Sequence, residues 1–134
     1  MERKHPLPST AMDAFHMMWG NFPESVLLIH KSREIIAQNK AADVMGVLKP
    51  GMKCSSVGTP ETHKGCLANK ALAKKKAAHV FIPLDDGHAV GFWIPLEGYP
   101  EYYLHFSVGR TIDYRTGKPR NPTELAQVFR KTEK

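Results

Sequence analysis

Strand-like segments in two groups dominate the pattern of apolar and polar positions along this chain. Their residues are mostly β-branched and aromatic, which suits a half-buried pleated surface. The strand-like segments are residues 25–30, 34–38, 79–84, 88–96 and 102–109. Helical material separates the first two segments from the last three. This order predicts an α+β fold in which five antiparallel strands are covered on one face by short helices.

An apolar stripe at helical spacing precedes the strands. Met12, Phe15, Met18 and Trp19 form this stripe and predict an amphipathic helix over residues 9–19. We therefore expect a helix to lie ahead of the main domain, with one face that must be buried against another surface.

A second helix start signal follows the strands. Asn121 stands at the cap, Pro122 at the first helical position and Glu124 at the third. The helix that this signal predicts has a short apolar face, so it needs another surface to pack on. The chain is thus divided into an N-terminal helix (1–21), a central domain (22–110) and a linker with a C-terminal helix (111–134).

Length and composition agree with this plan. With 134 residues and 42% hydrophobic content, the chain can bury the core of one domain and is too short for two ordinary ones. No apolar run approaches the length of a membrane span, and the first residues lack the apolar core of a signal peptide. We therefore expect a cytoplasmic protein. In that compartment its two cysteines are free thiols, metal ligands or redox-active groups.

The net charge of +6 raises nucleic acid as a partner, because clustered lysines bind phosphate favourably. However, Lys70, Lys74, Lys75 and Lys76 scatter around the helix predicted for this segment and form no single stripe. A solvated helix face is the favoured interpretation.

No sequence motif of a hydrolase, a nucleotide-binding enzyme or a metalloprotease occurs, so we expect a protein that is not an enzyme.

Four local sequences carry a resemblance to a known family. They are Phe22-Pro-Glu-Ser-Val-Leu-Leu-Ile29, Ile35-Ile-Ala-Gln-Asn-Lys-Ala-Ala42, Val44-Met-Gly46 and Lys49-Pro-Gly51. In this order, and together with the strand pattern, they resemble the PAS domain family of bacterial sensory modules over residues 22–110. The resemblance implies a PAS-like sheet and a role in signal transduction. It also implies an output domain or partner protein that receives the signal from the exit helix.

The resemblance adds one interpretation of the N-terminal stripe. In the PAS family, an amphipathic helix ahead of the core often packs on the partner subunit, which implies a homodimer. The alternative is that the stripe covers the open face of the chain's own sheet.

The resemblance also points to a metal site. Some bacterial PAS domains carry one cysteine after the short helices and a Cys-x-x-Cys pair further along, and this chain has Cys54 and then His63-Lys-Gly-Cys66. Residues three apart on a helix lie on neighbouring faces, so His63 and Cys66 can bind one ion together. With Cys54 they form a set suited to zinc or another soft divalent metal. Alternatively, the two cysteines are small buried hydrophobes, or they form a reversible disulfide.

Haem is a second candidate cofactor that the resemblance implies. The family includes gas sensors whose iron is held by a histidine on the long helix, and His63 lies near the start of that element. A neutral imidazole can bind haem iron without covalent attachment of the porphyrin.

A ligand pocket is expected on the helix-covered face of the sheet. Phe81, Trp93, Tyr103 and His105 come from neighbouring strands and are the residues predicted to line it. A fully packed core is the alternative.

We thus expect a sensory module in which a bound small ligand, or the redox state of the cysteines, changes the packing of the terminal helices. The alternative function is a small basic protein that binds nucleic acid or an acidic protein partner.

Overall fold

The structure is a computed structural model and describes residues 7–56 and 66–120. The strands of its main sheet are β1 (Val26–His30), β2 (Ile35–Gln38), β3 (Ala78–Leu84), β4 (Gly87–Leu96) and β5 (Tyr99–Val108). They are antiparallel and lie side by side in the order β2-β1-β5-β4-β3. Each strand overlaps one predicted segment, so the predicted α+β class with a five-stranded antiparallel sheet is confirmed.

Helices cover both faces of this sheet. The helices are α1 (Ser9–Trp19), α2 (Lys40–Met45), a short 3-10 helix (Cys54–Ser56) and α3 (Ala68–Lys74). Side chains of α1 pack with one apolar cluster, and side chains of the other three helices pack with a second cluster across the sheet. A small hairpin of β6 (Ile112–Asp113) and β7 (Lys118–Pro119) follows the main sheet. None of the helices in the described ranges is long and apolar enough to span a membrane.

The apolar stripe of α1 covers the chain's own sheet. Phe15 is buried in the core, and Met12 and Trp19 pack against the same cluster. Met18, by contrast, is 66% exposed, and Met17 is also exposed. Met18 is one helical position, or about 100°, away from Trp19, which places it at the edge of the stripe. Met18 therefore lies outside the face of α1 that is buried against the chain's own sheet.

The central strand β1 is buried on both faces, as its five consecutive buried residues show. Alternation along a strand sends Leu27 and Ile29 to the face covered by α2 and α3, and Val26 and Leu28 to the face covered by α1. A strand covered on both sides is expected to be apolar, as this one is from Val26 to Ile29.

Helix α3 ends at Lys74, before two of the lysines that were expected to lie on it. It ends because Lys75 adopts a left-handed backbone conformation, with a φ angle of 53°, and donates its N–H to carbonyl oxygens of the last turn. Lys70 and Lys74 are exposed on the helix, while Lys76 lies beyond its end. These lysines are solvated, as we predicted from their scatter.

Asn39 joins three parts of the fold. Its side chain is 1% exposed and makes five hydrogen bonds. The amide oxygen accepts from the N–H groups of Val26 and Ala42, so it caps α2 and fixes the start of β1. The amide nitrogen donates to the carbonyl oxygen of Trp19, the last residue of α1, and to those of Phe22 and Glu24 ahead of β1.

Residues 109–120 follow β5, and we call them the exit segment. Glu24 holds this segment against the core through its side chain. Its carboxylate is 2% exposed and accepts four hydrogen bonds from this segment. The donors are the Gly109 and Thr111 N–H groups, the Thr111 hydroxyl and the Tyr114 hydroxyl, at 2.7–2.9 Å. At the far end of the segment, buried Arg120 donates to the carbonyl oxygens of Gly109 and Asp86.

The helix predicted to start at Asn121 lies outside the described residues, and so does His63. The division of the chain at residues 21 and 110 stays a prediction. What the structure adds is that α1 and the exit segment both make extensive contacts with the central domain.

Candidate functional site

Two thiols, one phenol and one guanidinium come together on the face of the sheet covered by α2 and α3. These groups belong to Cys54, Cys66, Tyr103 and Arg33, and we call them the thiol site. Cys54 opens the 3-10 helix, and its N–H donates to the carbonyl oxygen of Arg33 at 2.9 Å. Cys66 lies two residues before α3, and both cysteines are half-buried free thiols packed against the same apolar cluster.

Burial raises the pKa of the Cys54 thiol above its ordinary value, and the neighbouring Cys66 thiol raises it further. A hydrogen bond from the Tyr103 hydroxyl and the positive charge of Arg33 act in the opposite direction. The two thiols are therefore within electrostatic range of each other, on the same face of the sheet. Because the net pKa shift is upward, Cys54 is a protonated thiol at neutral pH.

Tyr103 forms the floor of the thiol site. It lies on β5 and is 1% exposed. Burial raises the pKa of its hydroxyl, and the neighbouring Cys54 thiol adds to this effect. The phenol therefore stays protonated and donates its hydrogen bond to the Cys54 sulfur.

Arg33 connects the thiol site to α3. It lies in the turn between β1 and β2 and has a positive φ of 81°, which is uncommon for a residue with a side chain. Its guanidinium lies 5.9 Å from the centre of the Tyr103 ring and donates to Asn69 of α3 at 2.8 Å. It also donates to the Lys31 carbonyl at 2.9 Å, which holds the turn in place.

Trp93 and His105 lie on the same face as Tyr103, as predicted. Their rings stack with centroids 4.6 Å apart, and Trp93 belongs to the same apolar cluster as the thiols. His105 Nδ1 donates to the Phe92 carbonyl at 2.9 Å. Burial is the main cause that lowers the pKa of His105 from its ordinary value of 6.5 to about 4, so the imidazole is neutral at pH 7.

This pKa shift predicts an acid-sensitive stability. The unfolded chain takes up a proton on His105 near pH 6.5, whereas the folded chain does so only near pH 4. Stability is therefore full above pH 6.5 and is lost as the pH falls towards 4, by about 2 to 3 kcal/mol. Urea unfolding at pH 7 and pH 4.5 measures this loss. His105→Phe should lose clearly less stability between the two pH values, and an equal loss would contradict the assignment.

Phe81 does not share this face with the other three predicted ligand-binding residues. It lies opposite Val90 on β4, and Val90 lies opposite Val108 on β5. Val108 packs against the cluster on the α1 side of the sheet, so Phe81 is on that side as well. Phe81 is 61% exposed and stacks on His88. The register between β3 and β4, which the sequence does not specify, decides this placement.

A pocket of about 210 Å³ opens beside the end of α3. Its lining comes from that helix end and from the turn between β4 and β5. The residues are Leu72, Lys75, Pro95, Leu96, Glu97, Gly98 and Pro100. Trp93, Tyr103 and His105 are not part of it, so a small-ligand site at those residues stays a prediction.

The predicted metal set of Cys54, His63 and Cys66 is only partly visible, because His63 falls outside the described residues. Within residues 7–56 and 66–120, no three histidine, cysteine or acidic side chains are placed to hold a metal together. The structure brings Cys54 and Cys66 into one site, and binding of zinc with His63 stays a prediction. Binding of haem through His63 also stays a prediction.

The role of Arg33 was not predicted from the sequence, because residues 31–33 were interpreted only as a turn. A residue in a hairpin turn gives no periodic signal, and the contact with Asn69 joins positions 36 residues apart. The one available signal was its position: Lys31 and Arg33 are the two cations in the short turn between the first two strand-like segments.

Comparison with known proteins identifies the fold. No family model matches this chain, and no curated protein does. The structure is similar to the PAS domain of BvgS from Bordetella pertussis, with a TM-score of 0.58 and 16% identity over 90% of this chain and 95% of that one. The chain therefore has a PAS-type fold, which confirms the resemblance found in the sequence.

Two further solved structures are similar at lower scores. One is a sensory box sensor histidine kinase from Vibrio cholerae, with a TM-score of 0.49 and 13% identity over 79% of this chain and 99% of that one. The other is a domain of an HTR-like protein from Haloarcula marismortui, with a TM-score of 0.48 and 16% identity over 64% of this chain and 94% of that one.

Proposed function

We propose that this chain is a PAS-type sensory module whose input is the thiol site, and that oxidation of Cys54 and Cys66 to a disulfide is the signal. The observation that carries the proposal is that both thiols pack against the same apolar cluster, which includes buried Tyr103, and that Cys66 acts on the pKa of Cys54. The PAS-type fold, which this chain shares with the PAS domain of BvgS, supports a sensory role.

The oxidation is balanced with a peroxide as the oxidant. Two thiols give up two protons and two electrons, an S–S bond forms, the O–O bond of hydrogen peroxide breaks, and two water molecules leave. We place the module in the cytoplasm, where thiols are kept reduced at rest. The raised pKa of Cys54 fits a resting thiol that reacts only when oxidant accumulates.

The signal needs a path to the rest of the protein. A disulfide would pull on Cys66, two residues before α3, and α3 packs against β3, β4 and β5. Strand β5 continues into the exit segment, which Glu24 fastens to the core. Oxidation would then favour one of two arrangements of α3 and the exit segment, and this population shift is what an output domain or partner protein would detect.

The homodimer implied by the sequence resemblance stays a proposal. Phe15 is buried against the chain's own sheet, and Met12 packs partly against the same cluster. The apolar side chains that α1 offers to a partner are the exposed Met17 and Met18.

Hydrogen exchange of the reduced and the peroxide-treated protein tests the proposed function. We expect exchange to change in α3 and in the exit segment, because these elements follow the thiol site in the proposed path. Cys54→Ser and Cys66→Ser should each abolish the change, since neither variant can form the internal disulfide. A disulfide that forms without any change in the exit segment would contradict the sensory role.

A further inference from the structure

We propose that the turn between β1 and β2 is a pH-sensitive element, in which protonation of the His30 imidazole breaks a hydrogen bond that shapes the turn and thereby moves Arg33. His30 is the last residue of β1 and is 5% exposed, so its ring is held inside the fold. It takes no part in the oxidation of the cysteines, and this property is therefore independent of the proposed function.

The hydrogen bonds around His30 define its neutral form. Nδ1 accepts a hydrogen bond from the Ser32 N–H at 3.1 Å, so the ring proton of the neutral imidazole is on Nε2. The Ser32 hydroxyl lies 3.0 Å from the same Nδ1, and it accepts from the Glu34 N–H at 3.3 Å. The turn of residues 31–34 is thus arranged around Nδ1 as an acceptor.

Protonation converts this acceptor into a donor. The Ser32 N–H and the new Nδ1–H would then face each other across 3.1 Å, and one of them must move. The Ser32 hydroxyl can rotate and accept from Nδ1, whereas the Ser32 N–H loses its acceptor. An N–H group that has lost its acceptor is costly in a half-buried turn, so the turn changes to an arrangement in which this group finds another one.

The groups that face the ring act on this equilibrium in opposite directions. Glu101 of β5 has its Oε1 3.8 Å from His30 Nε2 and favours the charged ring. Lys31 lies 2.7 Å from the same carboxylate and weakens this effect. Tyr102 of β5 packs against the imidazole with ring centroids 5.2 Å apart, and burial of this kind favours the neutral form.

Other charged side chains belong to elements that pack near β1. Glu34 and Lys53 form a backbone bridge at the end of the turn and contribute one charge of each sign. The charged groups of α2 are beside Val26, about 13 Å along the strand from His30, and the titratable groups of α1 are exposed. These groups are Lys40 and Asp43 on α2, and Asp13 and His16 on α1.

Arg33 carries the change to α3. Its N–H donates to the His30 carbonyl at 2.7 Å, and its positive φ of 81° is uncommon for a residue with a side chain. Its guanidinium donates to Asn69 of α3 at 2.8 Å, and its carbonyl accepts from the Cys54 N–H at 2.9 Å. A rearrangement at Ser32 therefore reaches α3 and the 3-10 helix through one residue.

An NMR titration of the reduced full-length chain between about pH 8 and pH 5 tests this turn. We expect the His30 ring signals and the Ser32 and Arg33 amide signals to move with one common midpoint, followed by the side-chain amide of Asn69. His30→Asn is the variant that keeps the turn in its neutral form, because an amide oxygen can accept from the Ser32 N–H and takes up no proton in this range. Its Ser32 and Asn69 signals should stay near their starting positions.

His88→Asn is the matched control, since His88 is exposed on β4 and the variant should titrate at Ser32 as the unchanged chain does. Glu101→Gln should lower the common midpoint, because it removes the carboxylate that favours the charged ring. Circular dichroism confirms that each variant is folded. A His30 ring that titrates while the Ser32 amide stays still would overturn the inference. So would equal movement of the Ser32 signal in His30→Asn, or a His30 ring that remains neutral down to pH 5. Because the thiols stay reduced throughout, none of these results bears on the disulfide.

Discussion

Replacing Glu24 with alanine is expected to lower the free energy of unfolding by about 4 kcal/mol, the largest effect of any single substitution considered. The change leaves four donors of the exit segment without their acceptor, and two of them are backbone N–H groups. Each unsatisfied buried donor costs about 1–3 kcal/mol, and part of this cost is regained where water enters. Urea unfolding at pH 7 measures the difference.

Glu97→Ala is the control for this substitution, because Glu97 is exposed in the turn between β4 and β5. Its effect should stay within about 0.5 kcal/mol. If both variants lost the same small amount of stability, the Glu24 carboxylate would not fasten the exit segment as described.

Replacing Asn39 with alanine is expected to cost about 3 kcal/mol. Loss of a helix cap alone costs about 1 kcal/mol, and here the Val26 N–H and three carbonyl oxygens lose their partner as well. Thermal unfolding followed by circular dichroism measures the effect. Asn21→Ala is the matched control, since exposed Asn21 makes a hydrogen bond with Lys40 at the surface and should lose less than about 0.5 kcal/mol. Equal losses in the two variants would show that Asn39 is not the joint between α1, β1 and α2.

The strands and α1 could be predicted because their own side chains determine them. Residues 26–30 are apolar up to His30, since both faces of β1 are covered, and the stripe around Phe15 has helical spacing because one side of α1 is buried. Gly46, in the resembling sequence Val44-Met-Gly46, adopts the left-handed conformation that ends α2.

The functional site could be predicted only in part, because it depends on contacts between distant segments. Tyr103 and His105 share a face by strand alternation, which the sequence does show. Phe81 was grouped with them because the register of β3 against β4 is not visible in the sequence. The Glu24 contacts join residues 85 to 90 positions apart, and no local pattern marks them.

Peptide mapping under non-reducing conditions tests the central claim most directly. The unchanged chain is treated with hydrogen peroxide, free thiols are blocked, and the digested peptides are identified by mass spectrometry. The account predicts one internal link between the Cys54 and Cys66 peptides, which forms at low protein concentration and disappears after reduction. Two free thiols after treatment, or links found only between separate chains, would contradict it.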